Sequence, residues 1–541
     1  MKLIFIILIY FLLLFVAKTQ DVTFTSTNLP LIVIDTKGQD IVDEPKITAS
    51  MKIIYNGAPN LNHKTDPGNI YDGDVGIELR GSFSQSLPQK PYGFETKDKL
   101  GNNTDVSILG MPAEHDWILI ANYNDRVFMR NTLAFHLFEV MGHYAARTSL
   151  CEVIVNGSYE GIYVLTEKLK RDKNRIDISQ LDADDNAGDS LTGGYIFKED
   201  SYSIGYNCWK SNYSAYDRPD RDVYFVFDYP KVDAITDQQK NYLMSFVDSY
   251  ETTLYGNNFT DPNSGYRNYI SVKSFIDYFI IGEVSRNVDA YKKSCYYYKD
   301  KDSKGGQLHA GPVWDFDWAW KNLIDNCDIF ANTDGSGWAN KVNDCNNWPV
   351  SPGWQVRMME DTNFIDRLYS RYADLRQTSL SDVSLNNYID SITNLINEAQ
   401  LRHYQRWPFT DEYYGAPEVD GQPNSFAEAI SWFSTWVSDR VNWLDHNMPG
   451  KYVISSTTDI LADNNIYRLF PNPAKNIVYF ESDNSFSAIE VYNNTGSLIR
   501  TIQYKRSYST GINIQDLTPG LYIARVINDN NTITSVRFIK E

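Results

Sequence analysis

The 541-residue chain lacks the features that most quickly assign a protein to a chemistry. It has no basic surplus: its net charge of −19 removes the electrostatic footprint that nucleic acid or an anionic membrane surface requires. Without a C-x-x-C pair there is no paired-thiolate zinc site. Without H-E-x-x-H there is no helix-borne zinc hydrolase, and without G-x-S-x-G there is no strand-to-helix serine elbow. Beyond residue 16, no run is long and apolar enough to cross a bilayer, which argues against a transmembrane anchor.

What is present points outside the cytoplasm. Met1-Lys2, an apolar run over 3–16 and Ala17-Lys18-Thr19-Gln20 read as a secretory signal peptide over 1–20. Its end carries no cysteine for lipid attachment. The five cysteines cannot all pair with one another. Cys327 and Cys345 flank one polar insert and suit a local bridge, whereas Cys151 and Cys295 sit in apolar strands as buried thiols. A content of 42% hydrophobic and 14% aromatic residues indicates a folded chain, and its length requires at least two domains. The 38 tyrosines and 12 tryptophans fit Tyr-rich extracellular strands, or large wet or sugar-facing surfaces.

Read in order, 31–34 and 51–54 are strands, and 65–76, rich in Asp, Gly and Pro, reads as a loop. Residues 77–97 read as strand, Gly/Ser turn and strand, with Arg80 and Lys90 at the ends of a turn whose N–H groups suit an anion. A buried strand at 117–122 precedes a helix opened by Asp125-Arg126 and stopped at Gly142. Residues 151–168 form a hairpin across Asn156-Gly157. Helical periodicity covers 236–255, 272–284, 364–403 and 426–446. Residues 451–464 read as a linker, and 465–541 show short alternating strands.

One acidic stretch stands out, Gly311-Pro312-Val313-Trp314-Asp315-Phe316-Asp317-Trp318. In an extended strand, Asp315 and Asp317 would share a face. Two close carboxylates repel unless a cation lies between them, and Mg²⁺ (or Mn²⁺ or Ca²⁺) is the suitable hard ion. The other reading is one buried Asp holding a turn while its neighbour faces water. Both remain open on these residues alone.

The order of Arg80-Gly81…Ser84…Lys90, Asp116-Trp117-Ile118-Leu119…Asn124-Asp125-Arg126…Arg130-Asn131, Asn156-Gly157-Ser158-Tyr159-Glu160-Gly161, Glu167-Lys168, Gly193-Gly194-Tyr195 and the acidic stretch resembles the CotH kinase family. The resemblance implies an α+β, atypical protein-kinase-like domain over 21–450, including an N-terminal β extension. It also implies ATP-dependent phosphoryl transfer to Ser or Thr of a secreted or surface protein. By position, Asp289 takes the catalytic-loop role, Asp315 and Asp317 hold metal, and Arg80, Lys90 and Glu167 serve phosphate or its supporting ion pair. Three features depart from the pattern. Ala319-Trp320-Lys321-Asn322 stands where a small residue and Gly-Asn are expected, Ser294 stands where ordinary kinases place Asn, and there is no G-x-G-x-x-G loop.

Residues 469–474, 491–496, 517–522 and 537–540 resemble the type A sorting domain of the type IX secretion system. This implies a small all-β, immunoglobulin-like sandwich and the type IX machinery as a partner. The destination is then the cell surface or the medium, by way of periplasm and outer membrane. Three functions follow as expectations: a secreted CotH-like kinase, a non-catalytic adhesion or matrix-binding protein on the same scaffold, and, against the resemblance, a two-carboxylate glycoside hydrolase.

Overall fold

A computed structural model describes residues 22–323, 327–345, 348–409, 418–419, 421–453, 467–470, 473–493, 497–528 and 533–541. The expected signal peptide and most of the expected linker lie outside these residues. The chain divides into two compact units, with the boundary between Gly450 and Lys451. The first mixes helices and strands; the second is all β.

The first unit begins with β1 (Leu31–Asp35), β2 (Ile47–Ile54), β3 (Tyr71–Leu79), β4 (Tyr92–Thr96), a small hairpin of β5 (Val106–Ile108) and β6 (Met111–Glu114), and β7 (Asp116–Ala121). After α1 (Arg130–Val140) come β8 (Thr148–Val155) and β9 (Ser158–Glu167). Seven of these strands close into a barrel in the order β1-β2-β3-β4-β7-β9-β8, and β8 runs parallel to β1 to complete the ring. Closure leaves no open edge. Ile32, Met51, Val75, Phe94, Trp117, Cys151 and Tyr163 fill the interior. The outer face of β7 and β9 is also buried, with Ile118 and Val164 packing against the helical body. Burial on both faces explains why β7 reads as an unbroken apolar run.

Part of the expected loop over 65–76 is instead strand: Tyr71 pairs with Ile53 and Gly76 with Thr48. Tyr71 and Val75 face inward while Asp72 and Asp74 face solvent. The alternation of a half-wet strand had looked like turn composition. Helix α1 starts later than expected. Asp125 takes the free N–H groups of Val127 at 3.2 Å and Arg130 at 2.9 Å, so it caps the helix from outside it.

A second sheet combines β10 (Tyr195–Glu199), β11 (Cys208–Ala215), β12 (Arg218–Tyr229), β13 (Cys295–Lys299) and β14 (Leu308–Ala310), in the order β11-β12-β10-β13-β14. A short α2 (Gly188–Leu191) precedes it, and α3 (Asp237–Tyr255) and α4 (Val272–Ser285) pack on it. The expected helical region over 364–403 is three helices. Following α5 (Asp328–Ala331) and α6 (Trp354–Met358), they are α7 (Thr362–Arg376), α8 (Asp382–Leu395) and α9 (Ala399–Arg406). Ser381 accepts from the Ser384 N–H and so starts α8 afresh. The unit ends with α10 (Phe426–Asn447). Cys327 and Cys345 form the expected disulfide, and Cys151 and Cys295 are buried thiols.

The second unit contains β15 (Tyr467–Phe470), β16 (Ile477–Asn493), β17 (Leu498–Asn513), β18 (Gly520–Asn528) and β19 (Ile533–Lys540). Two of these are longer than the short strands expected. β16 stays paired by shifting register between Glu481 and Phe486, which lets a long strand bend without ending.

Helix α4 carries two buried carboxylates that tie the first unit together. Asp277 meets Arg371 at 2.7 Å, His143 at 2.8 Å and Lys273 at 3.0 Å. Burial opposes its charge, but these partners pull its carboxyl down to about 2. Glu283 meets Arg440 of α10 at 3.1 Å, with both side chains fully buried. Glu283 also accepts the Ala339 and Asn340 N–H groups at 2.8 Å. Arg440 donates to the carbonyls of Glu283, Gly335 and Gly337, each at 2.7 Å. Glu283→Gln leaves a buried guanidinium without its counter-charge and should cost about 3–5 kcal/mol by denaturant unfolding. In the double variant with Arg440→Met, the loss should fall short of the sum of the two single losses.

Candidate active site

The loop leaving α4 and the acidic stretch after β14 are both held in uncommon backbone. Arg286, Tyr291 and Ser294 have φ of 41°, 64° and 53°, and Asp315 and Trp320 have 69° and 49°. Left-handed conformations at bulky residues persist only where surrounding contacts enforce them. Those contacts are present. The Tyr291 hydroxyl donates to Phe279 O at 3.1 Å and approaches Glu283 at 3.3 Å. Arg286 donates to Ser336 O at 2.6 Å and Asn322 Oδ1 at 2.7 Å. The Trp320 N–H reaches Ser285 O at 2.8 Å, and the Phe316 N–H reaches Asn131 Oδ1 at 2.7 Å.

Residues 311–316 are therefore not a strand, and the expected strand-face argument for Asp315 and Asp317 does not apply. The left-handed turn at Asp315, followed by a turn at Asp317, brings the pair into one electrostatic neighbourhood by a different route. Asp289 joins them. Its carboxylate lies 3.6 Å from Lys292, and its N–H donates to Asn287 Oδ1 at 3.2 Å. Ser294 Oγ donates to Asp315 Oδ2 at 3.2 Å, and the Asn124 amide donates to Asp317.

The three carboxylates influence one another. Burial and then the charge of Asp315 push Asp317 up to about 7, with the Asn124 amide and Lys321 pulling the other way. Burial also raises Asp289, against Lys292 and Lys293, while Asp315 pushes in the same direction. Burial disfavours the charge on Lys293, yet Asp289, Asp315, Asp200 and Asp317 together raise it. Among the described residues Lys293 forms no salt bridge within 4.0 Å, so this cation faces several carboxylates at longer range. Among the described residues, only Asp105, Glu114 and His115 bring three donor atoms within 4.8 Å of one another. There Glu114 is already engaged by Lys170 at 3.0 Å and Arg175 at 3.3 Å.

A cleft of about 140 Å³ between the barrel and the second sheet adjoins the acidic stretch through Trp314. Arg80, Glu78 and Lys168 line it from the barrel side, Asp228 and Tyr296 from the sheet, and Trp314 from the acidic stretch. The Arg80 guanidinium lies 5.7 Å from the Trp314 ring centroid. Burial lowers Arg80, and Asp315 is the leading charge that opposes the shift.

Of the six expected site residues, Asp289, Asp315, Asp317 and Arg80 come together. The other two have different partners. Lys90 donates to Gln85 O at 2.8 Å and closes its own turn. Glu167 is buried against Arg147 at 2.9 Å and accepts the Tyr144 hydroxyl at 3.2 Å. Its neighbour Lys168, just past the end of β9, lines the cleft instead and lies 3.4 Å from Asp116 there. Lys293, Lys168 and Asn124 join the site although none has an assigned role in the sequence reading. Asn124 and Lys168 stand there only within the family motifs, and Lys293 only in a lysine pair after Asp289.

The elevated Asp317 carboxyl makes the charge cost of this site depend on pH. With the folded value above the unfolded one, ionisation costs nothing below about pH 4 and its full amount above about pH 7. Asp317→Asn should therefore stabilise the protein at pH 8 by about 1–3 kcal/mol, after allowance for solvent screening. The gain should vanish near pH 4, as followed by thermal unfolding at the two pH values.

Comparison with known proteins agrees with the resemblances read from the sequence. Residues 77–444 match the family described as CotH kinase protein. Residues 468–541 match the secretion system C-terminal sorting domain. No curated protein matches the chain. The sorting domain marks the chain for export by the type IX machinery, to the cell surface or the medium. No helix among the described residues is long and apolar enough to cross a membrane. With the first match covering well over half of the 541 residues, the chain belongs to the CotH kinase protein family.

Proposed function

We propose that the exported protein is a kinase that transfers phosphate from ATP to a Ser or Thr of a secreted or surface protein. The observation that carries this reading is the gathering of Asp289, Asp315 and Asp317 around Lys293, with Arg80 in the adjoining cleft interacting with Asp315. On this reading the barrel and the second sheet are the two lobes of an atypical kinase-like fold, and the second unit is an immunoglobulin-like sandwich.

The donor set fits a hard divalent cation. Asp315 and Asp317 offer oxygen ligands, and an ionisation held up to about 7 by burial and a like charge is the sort a cation relieves. Mg²⁺ or Mn²⁺ held there supplies charge neutralisation to the phosphates. Ser294 orients Asp315 and Asn124 orients Asp317 through their hydrogen bonds. Arg80 and Lys168 attract the phosphate charge into the cleft, and Lys293 balances the carboxylates. Asp289 accepts the hydroxyl proton of the acceptor, aided by a carboxyl that burial makes more basic.

The second reading, a non-catalytic adhesion or matrix-binding scaffold, draws on one surface feature. Tyr202 stacks on Tyr224 at 4.4 Å and meets Trp348, which is 56% exposed. Exposed aromatic clusters of this kind suit binding to a matrix.

Incubation of the mature protein with γ-labelled ATP and Mn²⁺ or Mg²⁺ distinguishes the two. The kinase reading expects label in the protein or an added acceptor, reduced by at least about 10²-fold in Asp315→Ala and Asp289→Asn. An unlabelled parent protein that nucleotide also fails to stabilise against heat favours the scaffold.

A further inference from the structure

A second concave site lies behind the segment that follows Asp317. It encloses about 320 Å³ between the loop before α1, residues 320–322 and the first half of α10. That is the size at which small-molecule sites begin. Trp320, Trp432, Phe433 and Trp436 supply an aromatic wall. Three cations line the same space: Arg126, Arg130 and Lys321.

Two of the cations are already balanced. Arg130 is held by Asp125 at 2.5 Å, and Lys321 lies 3.2 Å from Glu418 while donating to Asn124 O at 2.8 Å. The remaining carboxylate, Asp439, is exposed at the rim. Arg126 differs. Only 6% of its surface is exposed, and its guanidinium lies over the rings of Tyr123 and Phe409 at 5.7 and 5.3 Å. It has no hydrogen-bond acceptor and no carboxylate among the described residues. Trp320 is 1% exposed, and its indole N–H also lacks a partner. A buried indole donor left unsatisfied, beside a guanidinium with no counter-charge among the described residues, leaves a gap that an acceptor group would fill.

We propose that this pocket binds a small aromatic oxyanion, an aryl phosphate or aryl carboxylate. The oxyanion accepts from Arg126 and the Trp320 indole N–H, with the Lys321 ammonium beside it, and the aryl body packs on the tryptophans. The pocket is lined wholly by residues of the first unit. It does not depend on the kinase reading. A path to the three aspartates nevertheless exists, because Asn124 accepts from Lys321 through its carbonyl and donates to Asp317 through its amide.

The test is isothermal titration of the mature protein with phenyl phosphate, benzoate and phenol. Phenyl phosphate or benzoate should saturate with a Kd below about 1 mM, and phenol should bind at least about tenfold more weakly. Arg126→Met should weaken the anion by about tenfold or more. Trp320→Phe, which keeps the ring and removes one donor, should weaken it by a smaller factor while the protein melts as before. Asp315→Ala should leave the titration unchanged, placing the ligand outside the nucleotide cleft. Absence of saturation, equal binding of phenol, indifference to both pocket variants, or loss of binding in Asp315→Ala would each overturn the proposal.

Discussion

The ion pair between Glu283 and Arg440 joins the pieces on which the first unit depends. Charges buried this fully are stable only if each lone pair and each N–H finds a partner. Here Glu283 takes two backbone N–H groups besides Arg440, and Arg440 reaches three carbonyls. These contacts fasten the end of α4 to α10 and to the turn at 335–340. The chain leaving α4 is the one that carries Asp289. Its left-handed residues are tolerable because both ends are anchored, Tyr291 on α4 and Arg286 on the turn carbonyls.

That rigidity allows the site to be electrostatically uncomfortable. Asp289, Asp315 and Asp317 repel one another and would spread apart on a flexible loop. The frame holds them near Lys293, and part of the cost appears as the raised Asp317 carboxyl. Such a site favours a ligand that brings positive charge. The same segment, continued through Trp320 and Lys321, forms the wall of the aromatic pocket, so two sites share one stretch of constrained backbone.

Several elements were legible because their cause is local. The hairpin turn at Asn156-Gly157 needs positive φ at both residues, with values of 50° and 81°. The run Trp117-Ile118-Leu119-Ile120 is buried on both faces and reads as such. The three-helix division of 364–403 was less visible, because Ser381 caps through a side chain that composition alone does not distinguish from a solvent-facing one. The strand at 71–76 was obscured by Asp72 and Asp74, which sit on the wet face of a barrel that only closure defines. Lys90 and Glu167 looked suited to phosphate by charge and position, but nearer partners claim both.

The sequence by itself determined the sorting domain at the end, the cysteine pair and the acidic motif with its family. Each rests on residue type and spacing along the chain. Only the tertiary structure decided which charges meet, since Asp289 reaches Asp315 and Asp317 through left-handed turns that neither strand nor helix periodicity encodes. It also decided that Lys168 and Lys293 face the carboxylates and the cleft while Lys90 and Glu167 do not. Side-chain direction at a strand end, and the neighbour a long cation finds across the fold, follow from packing between distant segments.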